Sequence, residues 1–197
     1  MLRTVYVELQ ERAAAVVQQL FPFVTADQIE IAGFGKEKPK ECLLALLNLF
    51  NQQKTSIIPD GGFCDKLLIL LPGENGEPGP ECPMHHHRSK DGWRFSKNEG
   101  FWVAFGGLIL RDGKGIEHGV LAGETVYLPA GARHAMRAAD LRGCIVFEFS
   151  DLDQRTDIFD DPAITRDPKI EEDVPSHVPL TRGFIIRGEG GLQLAVE

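Results

Sequence analysis

The hydrophobic and polar positions follow a helical pattern at the start of the chain. Residues Val5 to Leu20 are rich in Ala, Gln, Glu and Leu, which favour helices. Residues Pro39 to Gln52 carry an apolar i, i+3, i+4, i+7 stripe, and proline suits the first turn of a helix. The stripe consists of Leu43, Leu46, Leu47 and Phe50. We therefore expect N-terminal helices that pack on the outside of a larger body.

From about Ser56 the pattern changes to short β-rich runs. The runs cover Lys66 to Leu71, Phe101 to Leu110, Thr125 to Leu128 and Cys144 to Phe149, with Arg182 to Arg187 as a last candidate. Turn dipeptides such as Asp112-Gly113 and Ala130-Gly131 separate them. Many short strands with regular turns indicate a β-sandwich or a β-barrel.

These patterns divide the chain into three parts. Residues 1–55 are expected to form a helical extension, 56–150 a β core, and 151–197 a tail that packs on the core. The stretch from Ser150 to Val178 is acidic, contains prolines and has a poor strand pattern, so we expect it to wrap the surface.

Composition narrows the class of protein. The chain has 197 residues and a formal net charge of −8, which argues against a nucleic-acid partner because phosphate binding needs a basic face. No run approaches the roughly 20 apolar residues of a membrane span. The start, Met1-Leu2-Arg3, lacks the pattern of a secretory signal, and the four cysteines are scattered. We expect a cytoplasmic protein with free thiols.

Three histidines fall in two segments with regular spacing. The first segment reads Gly79-x5-His85-x-His87, followed after a spacer by Glu99-x6-Gly106; the second reads Gly123-x5-Pro129-x-Gly131-x2-His134. On a strand, residues i and i+2 point to the same face, so His85 and His87 can both aim inward. Histidine is the commonest metal ligand, and the two segments therefore predict a metal site inside the β core.

The paired segments resemble the two motifs of the cupin superfamily. That resemblance implies a mainly β fold, a double-stranded β-helix or jelly-roll barrel. It implies the metal ligands His85, His87, Glu99 and His134. The spacer from His87 to Glu99 is longer than the motif has it, so Asp91, at His87-x3-Asp, is an alternative third ligand. Ala138 replaces the closing Asn of the second motif.

The outer parts are similar to the D-lyxose ketol-isomerase family. The matching features are Thr156-Asp157-Ile158-Phe159, then Arg166, Pro168 and Ile170-Glu171-Glu172-Asp173 in the tail, Glu148-Phe149-Ser150 on a strand, and Lys90 three residues after His87. Gly92 to Asn98 form an insertion that the family lacks. The resemblance implies a manganese-dependent sugar isomerase, and the family's barrels often pair as homodimers. The ligand types alone leave Mn, Fe, Zn, Co and Ni open.

The remaining candidates line the expected pocket. Glu148 is the candidate base for proton transfer, with an outward-facing strand carboxylate as the alternative. Lys90 is a candidate for stabilising an oxyanion or binding a sugar hydroxyl, or else a surface lysine. Trp93 is a candidate for stacking on the sugar. Asp157 and Arg166 either contact the substrate or tie the tail to the core.

Three functions follow from these residues. The first is an aldose–ketose isomerase that acts on D-lyxose/D-xylulose or D-mannose/D-fructose by metal-assisted proton transfer between C1 and C2. The second is a cupin dioxygenase that uses the same three-His, one-Glu site with iron. The third is a non-catalytic sugar-binding cupin. A phosphorylated sugar and a hydride shift both remain open at this point.

Overall fold

The computed structural model describes nine parts of the chain. They are residues 2–32, 34–35, 44–48, 64–75, 77–87, 98–150, 157–165, 183–188 and 191–196. The described residues do not include Lys90, Asp91, Trp93 or Arg166.

One long helix precedes a series of strands. Helix α1 is Leu2–Val17, and a short 3-10 helix covers Ala26–Gln28. The first strands are β1 Glu30–Ala32, β2 Phe34–Gly35, β3 Leu44–Asn48, β4 Cys64–Leu70, β5 Cys82–His87, β6 Glu99–Phe105, β7 Gly107–Asp112 and β8 Glu117–Leu121. The later strands are β9 Thr125–Leu128, β10 His134–Ala138, β11 Cys144–Ser150, β12 Asp157–Phe159, β13 Ile164–Thr165, β14 Gly183–Gly188 and β15 Gly191–Val196.

Most of the strands form two antiparallel sheets. The six-stranded sheet has the order β1-β3-β4-β11-β6-β9, and the five-stranded sheet has the order β12-β5-β10-β7-β8. β13 pairs with β2, and β14 pairs with β15. Among the described strands, the two larger sheets do not join into one closed barrel. The predicted class, a mainly β protein with a helical N-terminus, is confirmed.

A hydrophobic core joins the inner faces of the two sheets. The six-stranded sheet contributes Leu68, Leu70, Phe101, Val103, Cys144 and Val146, and the five-stranded sheet contributes Cys82, Leu108, Leu110, Val120, Met136 and Ala138. Strand periodicity puts alternate residues of each strand into this core. The site described below lies on the same inner faces.

A second core forms where α1 covers the outer face of the six-stranded sheet. Leu9, Ala13, Val16 and Val17 lie on one side of the helix, at the spacing of an amphipathic helix. They pack with the other face of β4 and β11, which presents Leu67, Ile69 and Ile145, and with Leu71 directly after β4. The prediction of a helix from Val5 onwards is therefore confirmed.

The second predicted helix, from Pro39 to Gln52, is wrong in its described part. Leu44–Asn48 is the strand β3, which pairs with β1 on one side and β4 on the other. A short apolar run satisfies helical and strand spacing equally well. Here the backbone hydrogen bonds offered by two neighbouring strands decide for the extended form.

Two motif glycines mark the points where the chain crosses between the sheets. The expected run from Phe101 to Leu110 is two strands, β6 in the six-stranded sheet and β7 in the five-stranded sheet, with Gly106 between them. Gly106 has a φ of +72°, and a Cβ there would lie 2.1 Å from the carbonyl oxygen of Gly143. Gly123, with a φ of +90°, lies at the return crossing from β8 to β9. Glycine adopts this left-handed conformation without strain.

Part of the tail packs on the body of the molecule. β12 extends the five-stranded sheet beside β5, and β13 pairs with β2. The predicted last strand at Arg182 to Arg187 corresponds to β14. The division of the chain at residues 55 and 150 stays a prediction. Among the described residues, no helix is long and apolar enough to cross a membrane.

Candidate metal centre

A β-bulge brings both histidines of β5 to the inner face of the sheet. In the pairing of β5 with β10, His85 lies opposite His134, and Cys82 lies opposite Met136. Between these two pairs, β5 advances by three residues while β10 advances by two. The extra residue in β5 puts Cys82 and His85, three residues apart, on the same face. Pro83 lies within this irregularity, where a missing backbone N–H is tolerated. The result is that Cys82, His85 and His87 are all buried.

His134 completes a cluster of three buried imidazoles. It begins β10, the strand between β5 and β7, and so faces the β5 histidines directly. One ligand nitrogen from each of His85, His87 and His134 lies within 4.8 Å of the others. The ring centroids of His85 and His134 are 4.3 Å apart. This three-histidine group can hold a metal ion.

Backbone carbonyls orient two of the three rings. His85 Nδ1 lies 2.8 Å from the carbonyl oxygen of Pro83, and His134 Nδ1 lies 3.1 Å from that of Ala132. A carbonyl oxygen only accepts hydrogen bonds, so each Nδ1 carries the proton and donates it. In the neutral ring, Nε2 then has the lone pair that a metal needs.

Glu99 brings a carboxylate to the same cluster. As the first residue of β6 it is buried, and its Oε1 lies 3.1 Å from His87 Nε2. Its Oε2 lies 3.5 Å from His134 Nε2. Of the two candidates for the third ligand, Glu99 therefore stands at the histidines, while Asp91 lies outside the described residues.

The distances from Glu99 to two of the histidines match those between neighbouring ligands of a divalent cation. Adjacent ligands of an octahedral ion with bonds of about 2.1 Å lie about 3 Å apart, which is close to the separations from Glu99 to His87 and His134. With Nδ1 protonated, His134 Nε2 directs a lone pair at the Glu99 carboxylate. Two such acceptors repel each other unless a proton or a cation lies between them. Imidazole and carboxylate ligands without thiolate suit Mn, Fe, Zn, Co or Ni.

Glu148 faces the interior rather than the solvent. It lies on β11 on the same face as Cys144 and Val146, which belong to the core between the sheets. The residue of β6 directly opposite Glu148 is Phe101. Phe101 lies two residues after Glu99 and therefore on the same face of the strand. Of the two alternatives raised by the sequence, the inward orientation is therefore the one found.

Lys66 is a buried residue near this site that sequence reasoning missed. It is the direct cross-strand partner of Glu148, and its Nζ lies 3.7 Å from Glu148 Oε1. The signal was present in β4, where Lys66 shares its parity with Leu68 and Leu70 of the inner core. A charged residue at a core parity position indicates a buried partner.

Aromatic rings adjoin the histidine cluster on two sides. Phe101 packs against His134 with ring centroids 5.8 Å apart. Phe159 of β12 lies opposite His85 in the sheet, with ring centroids 5.6 Å apart. The tail strand therefore supplies an apolar wall beside a histidine of the site. The sequence had placed Phe159 only within a tail motif.

Of the other predicted site residues, Asp157 is among those that the structure describes. Asp157 pairs with His87 through the backbone of β12 and β5, so its Cα lies next to the cluster. Lys90, Trp93 and Arg166 lie outside the described residues, and their roles stay predictions.

The fold resembles those of solved sugar isomerases, although no family model matches the chain. L-ribose isomerase from Cellulomonas parahominis superimposes with a TM-score of 0.62 at 17% identity, over 83% of this chain and 96% of that one. L-ribose isomerase from Acinetobacter sp. DL28, solved with L-ribose, superimposes with a TM-score of 0.62 at 16% identity, over 82% and 93%. The predicted cupin-type fold is therefore confirmed.

Among curated proteins, the chain is similar to a D-lyxose/D-mannose isomerase. The relative, from Thermosediminibacter oceani, is 28% identical over 188 residues, which span 84% of this chain and 96% of the relative. The predicted resemblance to the D-lyxose ketol-isomerase family is confirmed, and the similarity covers 84% of the chain rather than the outer parts alone.

Proposed function

We propose that this protein is a metal-dependent aldose–ketose isomerase acting on a small sugar. The observation that carries the proposal is the buried group of three histidines, with the Glu99 carboxylate beside it. The similarity to a D-lyxose/D-mannose isomerase over 84% of the chain supports the class of reaction.

We assign the metal to His85, His87, Glu99 and His134. When bound, a divalent ion supplies a Lewis acid that polarises the C1 and C2 oxygens of an open-chain sugar. The carbonyls of Pro83 and Ala132 fix two imidazole rings through Nδ1. We favour manganese because of the resemblance to the D-lyxose isomerase family.

Glu148 is the proposed base. Its carboxylate takes the proton from C2 of the open-chain aldose and returns it to C1, while one proton passes from the O2 hydroxyl to O1. The reaction is balanced without any external oxidant. Burial on the inner face supports this role, because a water-poor site strengthens the interaction of the carboxylate with the substrate. Lys90, Trp93, Asp157 and Arg166 are proposed to bind the sugar.

D-lyxose and D-mannose are the proposed substrates. The two aldoses share their configuration at C2, C3 and C4, so a site that reads these carbons accepts both. L-ribose, named for the L-ribose isomerases, shares the configuration at C2 and C3 only. The corresponding epimers at C2, D-xylose and D-glucose, are the natural negative controls.

The test combines metal analysis with a panel of sugars. Protein loaded with Mn²⁺ is expected to convert D-lyxose to D-xylulose and D-mannose to D-fructose, and to leave D-xylose and D-glucose unchanged. Removal of the metal by a chelator should abolish turnover, and added Mn²⁺ should restore it. If no aldose is converted with any divalent metal while the metal binds, the isomerase proposal fails.

The same samples test the other two functions. Consumption of oxygen by the iron-loaded protein with a small aromatic or thiol substrate would favour a dioxygenase. Tight sugar binding without turnover would favour a sugar-binding protein. The homodimer and the cytoplasmic location stay predictions that sedimentation and cell fractionation can check.

A further inference from the structure

Lys66 and Glu148 form a buried pair of opposite charges, and only Glu148 has a role in the proposed reaction. The two residues are direct partners across β4 and β11. Lys66 Nζ lies 3.7 Å from Glu148 Oε1, and each side chain is 5% exposed.

A buried ion pair by itself contributes little to the free energy of unfolding. Desolvation of both charges offsets their attraction, and an apolar pair of similar volume is often as stable. The neighbouring inward-facing positions of β4 and β11 hold such an apolar pair. Leu68 and Val146 lie directly opposite each other in the core. The charged pair lies two residues further along these strands. It is nearer the end of β11 where Ser150 pairs with Glu99 of β6.

From this placement, we infer that Lys66 is a positioning residue for the base. It compensates the charge of the Glu148 carboxylate and holds that carboxylate in the orientation in which it takes the sugar proton. The inference rests on the proposed function. Lys66 acts through Glu148, so its effect on turnover should vanish when Glu148 is absent.

A double-mutant cycle tests this dependence. Lys66→Met is expected to lower kcat by about 10- to 100-fold with KM within about threefold, because misplacing a reacting group costs rate rather than binding. Lys66→Arg keeps the charge and should recover part of the loss. The double variant K66M/E148Q should be no slower than E148Q alone, measured as solvent deuterium incorporation into the sugar. K114M, which removes an exposed lysine in the β7–β8 turn, is the matched control and should behave as wild type.

Two results on an active wild-type enzyme would overturn the inference. One is K66M with an unchanged kcat. The other is a double variant in which the two losses multiply, which would mean that Lys66 acts independently of Glu148.

Thermal unfolding of the metal-free protein provides a measure that does not need activity. K66M should lower Tm because it removes the positive charge that lies against the buried Glu148 carboxylate, and K66M/E148Q should recover roughly half of that loss or more. If the wild type converts no sugar, the proposed function fails while this cycle still tests the pair. Additive Tm changes would then overturn the positioning role as well.

Discussion

At the scale of single residues, the site depends on which acid accompanies the three histidines. The motif resemblance allowed Glu99 or Asp91, and the fold places Glu99 within 3.1 Å of His87 Nε2. Glu99 begins a strand whose partner strands hold it in place. Such support keeps a metal ligand in a fixed geometry.

Glu99→Ala is therefore expected to weaken metal affinity by about 100-fold or more, since even outer-shell partners of metal ligands contribute about 10- to 100-fold. Asp91→Ala is the matched control and should bind metal as the wild type does. Metal content after dialysis, measured by mass spectrometry, compares the two. Loss of metal in D91A with full occupancy in E99A would assign the third ligand to Asp91 instead.

Cys144 illustrates how burial controls a residue that takes no part in the site. Burial, with a smaller contribution from Asp140, raises the pKa of the Cys144 thiol to about 12. The thiol is therefore protonated at neutral pH, and iodoacetamide at pH 8 should label it only after unfolding. Peptide mapping by mass spectrometry checks this, and labelling of the folded protein at the unfolded rate would contradict it.

The same pKa has a consequence for stability at high pH. The unfolded thiol loses its proton near pH 9.0, while the folded thiol keeps it to about pH 12. The unfolded state thus binds fewer protons in this range, and the contribution of Cys144 to stability, complete below pH 9.0, is lost as the pH rises toward about 12. Cys144→Ala should remove this component from a plot of unfolding free energy against pH.

At the scale of elements, strands β5 and β6 have to lie close to their neighbours to bring the ligands together. Gly100 follows Glu99 on β6, and the Phe149 ring of β11 covers it. A Cβ at position 100 would lie 2.2 Å from atoms of that ring, so a side chain there would force the two strands apart.

Gly100→Ala should lower the free energy of unfolding by about 1 to 3 kcal/mol through overpacking. Gly119→Ala, on the exposed edge strand β8, meets nothing within 4 Å and should change it by less than about 0.5 kcal/mol. Urea unfolding of the two variants makes the comparison. Equal stabilities would mean that Phe149 moves aside at no cost.

At the scale of the whole molecule, the helix and the site occupy opposite faces of the six-stranded sheet. α1 covers the outer face, while Glu99 and Glu148 stand on the inner face. Stability and metal binding should therefore respond to different substitutions.

Leu9→Ala, at a fully buried position of α1, should cost about 2 to 5 kcal/mol of unfolding free energy by leaving a cavity. Val7→Ala, at a position 41% exposed, is the control and should cost less than about 0.5 kcal/mol. Both proteins should bind metal with wild-type affinity while folded. A loss of metal in L9A at temperatures where it remains folded would show that the two faces are coupled.

The sequence alone determined features that reside in local spacing. Alternation in β5 placed His85 and His87 on one face, and the helix-favouring composition of Val5 to Leu20 predicted α1. These properties depend on backbone geometry over a few residues, which a single sequence records.

Only the tertiary structure decided features that depend on neighbours distant in the chain. Leu44–Asn48 is a strand because β1 and β4 offer it hydrogen bonds on both sides. Lys66 meets Glu148, and Phe159 meets His85, because sheet pairing joins segments about 70 to 80 residues apart. Local periodicity carries no information on such pairings, since the register that creates them is set by packing across the whole core.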